Sequence, residues 1–392
     1  MRLTEWINRA AARQVPARPL AVARIGAAAA ILLELANSAE TLFRLADPAV
    51  IQAPYLAGTP RLTEPMAWAL AGLWLASASA LVLGWRTRAA GAVLTATLAL
   101  VLLLDQQLYS NHLYLMVLVA GLLTVADSGA ALSLDGRRDG ERGWVIGWPV
   151  LLLCLQVSFV YGFAALAKLN PDFLSGSVVA VSLRQEGPFS VPEAWRSMQP
   201  MFVLSILAVC SEACLAVLLW SARWRPAALV VGLGLHVFIT GWLSPMMPLL
   251  AFSLVIVPLY LLFLDAAPYG RVVVWDDGCG FCATWVRWFR RLDWLHALRF
   301  VARSQLAPSR LPISQEEAAR ALQIVLPSGR VRGGFVAVTR VLEILPVSFL
   351  WAPILRMPPI AAVGERIYRN VAARRRCELP LPGKAALGSR HP

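Results

Sequence analysis

The chain has 392 residues, 58% of them hydrophobic and only 15% charged, against about half apolar and a quarter charged in ordinary soluble domains. Its net charge of +13 is uneven: residues 1–269 carry 17 Lys/Arg against 15 Asp/Glu, and residues 270–392 carry 19 against 8. An apolar, nearly neutral body followed by a compact basic tail excludes a single soluble domain, a disordered chain and a secreted disulfide scaffold.

In chain order, the opening stretch MRLTEWINRAAARQVPARPLAVAR places five Arg ahead of a long apolar run. It lacks a short apolar core followed by a small-residue cleavage site. Residues 1–18 therefore read as a retained cytoplasmic flank and not as a signal peptide. Eight apolar runs follow, near 20–41, 66–84, 89–108, 112–128, 145–167, 201–220, 227–243 and 246–265. Each is a candidate span, because about 20 apolar residues cross the hydrocarbon; the fourth and seventh are short. The expected fold of residues 19–266 is a polytopic α-helical membrane bundle of about eight spans. With residue 1 inside, the inner segments hold twelve Arg, while the outer ones hold Arg44, Arg61, Arg184, Arg196 and Lys168. That bias follows the positive-inside rule, so both termini are expected in the cytoplasm.

Residues 270–377 read as a small α/β domain. Arg271–Trp275 and Leu298–Ala302 are expected strands, with a helical run over Cys282–Leu292 between them. Ala321–Leu326 and Val331–Phe335 flank Pro-Ser-Gly-Arg and predict a hairpin, with Gly329 free to take a positive φ. Helical patterns follow at about 336–345 and 360–376, and residues 378–392 read as a disordered tail.

Of six cysteines, Cys154, Cys210 and Cys214 lie in apolar runs, where small buried hydrophobes explain them. Cys279 and Cys282 alone have C-x-x-C spacing, in VVVWDDGCGFC. A strand leads to a turn that sets Cys279 at or just before the first turn of a helix, where free amides and the helix dipole favour a thiolate. Cys282 lies on the same face and can attack a mixed disulfide formed at Cys279. Asp276 can accept a proton or orient the turn. A structural zinc site needs about four ligands, and only Cys377 and His296 remain in the domain, so no metal is expected.

These residues resemble the DCC family of thiol–disulfide oxidoreductases. The likeness rests on Asp276, Cys279 and Cys282, then VRWFRRLDWL and LRFVA, and later Gly333-Gly334, VAVTRVLEILP and Glu365-Arg-Ile-Tyr-Arg-Asn. It covers about 271–377 and implies a thioredoxin-like fold with a redox-active Cys279–Cys282 disulfide. The family's usual Tyr-Asp-Gly-Asp-Cys is Trp-Asp-Asp-Gly-Cys here, which leaves the role of Asp277 open. Pro308 and Pro312 are the candidates for the proline that faces the dithiol in such folds.

Ionisable groups inside spans are costly and tend to be functional; here they are Glu34, Asp105, His112, Lys168, Glu212 and His236. Lys168 is one of two lysines against 34 arginines. It is either a base on an apolar helix or a lysine snorkelling to the membrane edge. Asn111 and His112 can cap the fourth span, and Glu212 can pair with a neighbouring helix. The segments YGFAALAKLNPDFLSG, SNHLYLMVLVAGLLTVAD and LHVFITGWLSPMMPLLAFSL resemble the membrane domain of vitamin K-dependent gamma-carboxylase and its bacterial relatives, the horizontally transferred transmembrane domain. The resemblance covers about 18–266. It implies that Lys168 matches a base that deprotonates a reduced quinone, that Asn111 and His112 support the same site, and that His236 lies in a later span of it. It also implies a bacterial inner membrane. The carboxylase's extended lumenal region has no counterpart, so gamma-glutamyl carboxylation is not expected.

The excess charge of the tail comes without a nucleic-acid-binding signature, so no nucleic acid is expected. Arg287, Arg290, Arg291 and Arg374–Arg376 instead suit an anionic lipid surface, gaining about 1 kcal/mol each there. The expected function is membrane-bound thiol–disulfide exchange with a protein or small-thiol substrate. Two alternatives are a quinone-oxidising membrane enzyme with an accessory dithiol and a non-enzymatic membrane anchor.

Overall fold

The computed structural model describes residues 4–5, 12–183, 190–191, 198–243, 246–264, 269–306, 311–345, 348 and 351–374. Arg184, Arg196, Pro308, Arg375, Arg376, Cys377 and the tail 378–392 lie outside the described residues. The chain divides into two compact units, Met1–Asp265 and Ala266–Pro392.

The first unit opens with β1 (Gln14–Pro16) and then the helices α1 (Ala17–Ala46), α2 (Glu64–Leu83), α3 (Thr87–Leu104) and α4 (Asn111–Val125). After β2 (Trp144–Ile146), which pairs antiparallel with β1, come α5 (Trp148–Ala167), α6 (Met198–Leu218), α7 (Arg225–Trp242) and α8 (Met246–Leu259). Local chemistry sets several ends. Pro65 sits in the first turn of α2, where its missing N–H costs nothing, and Gly84 closes that helix at φ 69°. The Ser110 hydroxyl accepts from the Leu113 amide and caps α4.

Among the described residues, six of these eight longer helices are long and apolar enough to cross a membrane; Asn111–Val125 and Pro248–Phe263 are shorter. The short late span is thus the eighth and not the seventh. Pro258 lies inside α8, which passes into a 3₁₀ turn at Tyr260–Phe263, because proline cannot continue the helical N–H ladder. A second expectation is also corrected. Cys210 and Cys214 are exposed on the surface of α6. In a membrane-spanning helix the outward face is apolar too, so hydrophobicity alone does not separate interior from lipid-facing positions.

Three ionisable groups hold loops to helix ends, Asp105 and Arg24 buried and Asp135 half-buried. Asp105 accepts from the amides of Ala53 (2.5 Å) and Gln107 (2.8 Å). Arg24 of α1 donates to the carbonyls of Ser128 (2.5 Å) and Leu132 (2.6 Å). Asp135, in the short helix Leu134–Asp139, accepts from the Arg86 and Thr87 amides, both at 2.8 Å, and so caps α3.

The second unit is built on a four-stranded mixed sheet of β3 (Arg271–Trp275), β4 (Leu298–Ala302), β5 (Gln323–Val325) and β6 (Val331–Gly333), in the order β4-β3-β5-β6. β3 runs parallel to β4 and antiparallel to β5, and β5–β6 is the expected hairpin, with Gly329 at φ 75°. Its longer helices are α9 (Gly280–Leu292), α10 (Gln315–Arg320), α11 (Gly334–Leu342) and α12 (Pro358–Arg374), with a single turn at Ala352–Leu355 before the last. α11 begins at Gly334, so Phe335 is helical where the sequence suggested strand. Alternation along β3 feeds two cores. Val273 packs with Phe289, Ile324 and Ala337, and Val274 with Val301, Ala318 and Val325. Helices on both faces of a small mixed sheet make the thioredoxin-like fold.

Candidate functional site

The loop after β3 turns tightly, with the Cys279 amide donating to the Asp276 carbonyl at 3.3 Å, and α9 starts at once. Cys279 is the N-cap residue, with extended backbone, and its carbonyl accepts from the Ala283 amide at 3.0 Å. Cys282 lies one turn in. Both are buried, at 1% and 8% exposure, and neither is in a disulfide. Cys282, Val286 and Phe289 form the buried stripe of α9, so the packing that holds the helix also fixes the second thiol.

Behind the turn, the Asp276 carboxylate is fully buried and faces Arg303, which is 6% exposed; Nη1 and Oδ1 are 3.2 Å apart. Oδ1 also accepts from the Gly278 amide at 3.2 Å, while Oδ2 accepts nothing among the described residues. A buried charge needs a paired partner, and Arg303 supplies it from just beyond β4. Asp277, whose role the sequence left open, accepts from the Ser304 amide (3.2 Å) and hydroxyl (2.5 Å). Two adjacent carboxylates therefore clamp the dithiol turn to the loop after β4. Sequence inspection missed Arg303 and Ser304; their signal is their position directly after a strand parallel to the one that carries the motif. Of the two proline candidates, Pro312 lies in the loop before α10 and Pro308 is outside the described residues.

In the membrane unit the expected quinone residues fall into separate hydrogen-bonded groups. Lys168 is the C-cap residue of α5 and donates to both carboxylate oxygens of Glu212 on α6, each at 2.8 Å. His112 Nε2 lies 3.1 Å from the buried Glu34 on α1 and 3.3 Å from the Ser110 hydroxyl. Asn111 Oδ1 accepts from the Tyr109 hydroxyl at 3.1 Å. His236 of α7 is bonded through both ring nitrogens, to the Tyr161 hydroxyl at 2.7 Å and to the Ser253 hydroxyl at 2.8 Å. The Tyr161 hydroxyl also bonds that of Tyr260. Gly232 permits this close approach, since a Cβ there would lie 2.5 Å from the Tyr260 hydroxyl. Tyr161, Ser253 and Tyr260 were not singled out in the sequence because each lies in a run of ordinary span composition. The Lys168 amine and both His236 nitrogens are engaged by protein groups.

Residues 12–266 match the model of the HTTM domain, which is well over half of the chain. The chain belongs to the HTTM family. Its second unit matches the model of the DCC1-like thiol-disulfide oxidoreductase over residues 273–379. No curated protein and no solved structure matches the chain. The HTTM helices, six of them long and apolar enough to span a bilayer, and the DCC1-like unit together make this an integral membrane protein of redox class. The fusion expected from the two sequence resemblances is present.

Proposed function

We propose that this HTTM protein exchanges thiols for disulfides through Cys279 and Cys282. The observation that carries the reading is the pair itself: two thiols one helical turn apart at the N-terminus of α9, backed by the buried Asp276–Arg303 ion pair. The helix N-terminus stabilises negative charge on sulfur at Cys279, and three-residue spacing on a helix keeps the second sulfur within reach. Each turnover moves two electrons and two protons: a substrate disulfide becomes two thiols while the dithiol becomes a disulfide, or the reverse. Asp276, held in place by Arg303, orients the turn.

The test is disulfide exchange by the full-length protein in lipid nanodiscs. Cys279→Ser and Cys282→Ser are each expected to abolish turnover; exchange at the wild-type rate in both refutes the proposal. The positive-inside bias supports cytoplasmic termini, with the DCC1-like unit on the cytoplasmic side. A membrane-impermeant maleimide added outside intact cells should then spare a cysteine introduced at Ser389. The membrane unit carries no redox step in this proposal. Oxygen uptake with reduced quinone is expected to be equal in wild type and Lys168→Ala; a clear fall would give that unit quinone chemistry of its own.

A further inference from the structure

We infer that the turn between α2 and α3 and the loop after α4 form a binding site for a phosphate ester. The site belongs to the membrane unit and does not depend on the exchange reading. Together with the short helix Leu134–Asp139, these segments border a cavity of about 540 Å³. That volume falls in the usual range of small-molecule sites, about 300–1,000 Å³.

Charge selects the ligand. Four arginines lie in the walls, Arg86, Arg88, Arg138 and Arg142, against the carboxylates of Asp127, Asp135 and Asp139. Two of those carboxylates are already engaged. Asp135 accepts from the Arg86 and Thr87 amides and, at 2.9 Å, from the Thr87 hydroxyl. Asp139 accepts from Nε and Nη2 of Arg138 at 2.8 and 3.0 Å. Asp127 meets both Arg88, at 3.7 Å, and Arg142, at 2.5 Å. Arg86 lies over the Trp85 ring and pairs with no carboxylate among the described residues. One carboxylate thus balances three guanidiniums, and positive charge gathered in a concave site draws an anion. Guanidinium forks match the paired oxygens of an oxyanion. Arg88 and Arg142 keep side-chain exposures of 73% and 59%, so a ligand reaches both from outside.

The walls are fixed from behind. Arg24 is fully buried and donates to the Ser128 and Leu132 carbonyls, which pins the loop that carries Asp127. Arg86, Asp127 and Leu132 take φ of 45°, 54° and 47°, a left-handed conformation that is costly for residues with side chains. Strain of this kind persists where the surroundings over-determine the backbone, and it clusters at ligand sites. Position narrows the oxyanion to phosphate. α2 ends at Leu83 and α3 starts at Thr87, and both are candidate spans, so the cavity lies where two helices leave the hydrocarbon and lipid phosphates are met. Basic pockets between spans at cytoplasmic helix ends hold anionic headgroups, and the positive-inside bias supports that side here.

Native mass spectrometry of the full-length protein in neutral detergent tests the site with three probes: dioctanoyl phosphatidylglycerol, glycerol 3-phosphate and dioctanoylglycerol. The phosphatidylglycerol is expected to bind about tenfold or more tightly than dioctanoylglycerol, which has the same tails without phosphate; equal affinity overturns the inference. Arg88→Gln/Arg142→Gln should weaken phosphatidylglycerol binding about tenfold through lost charge-assisted hydrogen bonds. That variant leaves Asp127 without a cation. Arg86→Gln strands no carboxylate and gives a second reading, with an expected loss of about threefold. Unchanged affinity in both variants overturns the inference. Arg137→Gln removes an exposed charge outside the cavity walls and should bind within about twofold of wild type. A loss there equal to that in Arg86→Gln means attraction to surface charge alone and also overturns it. Glycerol 3-phosphate binding as tightly as the lipid supports the site and makes a soluble ester its occupant, whereas binding about tenfold weaker supports the site and makes the occupant a lipid headgroup. Binding of neither phosphate probe overturns the inference.

Discussion

Arg303→Met tests the buried ion pair behind the dithiol. Arg303 and Asp276 have side chains only 6% and 0% exposed, so solvent screening takes little from their interaction. Methionine keeps much of the arginine stem's volume but strands the Asp276 carboxylate without a countercharge. Removing one partner of a buried pair costs about 3–5 kcal/mol, which raises the opening equilibrium of the unit by about two to three and a half orders of magnitude. Hydrogen exchange supplies the readout, because the backbone amides of the β3–β5 pairing exchange mainly when the unit opens. Mass spectrometry of the full-length protein should show that acceleration. The double variant Asp276→Leu/Arg303→Met removes both charges and should regain most of the protection. It falls short of wild type by about 1 kcal/mol for the lost hydrogen bond from the Gly278 amide. An acceleration below tenfold in the single variant, or a double variant no better protected than the single, refutes the reasoning.

Other outcomes follow from the membrane unit. Lys168→Ala leaves Glu212 facing an empty place; with side-chain exposures of 27% and 11%, the expected loss is about 1–3 kcal/mol. Lys168→Ala/Glu212→Ala should recover part of it in thermal melts in nanodiscs. Gly232→Ala puts a methyl where the Tyr260 hydroxyl sits and should lower stability by about 1–3 kcal/mol, whereas Gly234→Ala, which meets nothing within 4 Å, should stay within about 1 kcal/mol. The Asp135 carboxyl is subject to burial, which alone would raise its pKa. The Thr87 and Arg86 amides, the Thr87 hydroxyl and the Arg138 charge outweigh that and hold it below its ordinary value of 3.8. A depressed folded value means that the stabilisation is fully present above the ordinary value and is lost as pH falls through the folded one. The melting difference between wild type and Asp135→Asn should thus be full at neutral pH and vanish in strong acid; a difference that grows on acidification contradicts this.

Much of this architecture is legible in the residues. The apolar runs mark all eight helices, because a bilayer demands length and hydrophobicity along one segment, a local property. The strand, turn and helix around Cys279 are legible for the same reason: Val-Val-Val-Trp, Asp-Asp-Gly and an alternating helical stripe each act over a few residues. What stays hidden is the partner across space. Glu212 announces a need for a countercharge but not that Lys168 meets it, and Glu34 likewise does not name His112. Arg303 looks like any other arginine of a basic domain until β3 and β4 lie side by side. Cys210 and Cys214 show the converse limit: apolar composition gives the span without its inward face.

β3 is only five residues long, yet it serves as a ruler. Its successive residues point into opposite layers, Val273 into one and Val274 into the other, and the count continues into Asp276, which must arrive on the side where Arg303 waits. Losing or gaining a single residue between Arg271 and Trp275 would exchange the two layers and swing the carboxylate away together. Length in this segment is therefore far less negotiable than side-chain identity: valine can become isoleucine here, but the strand cannot become shorter.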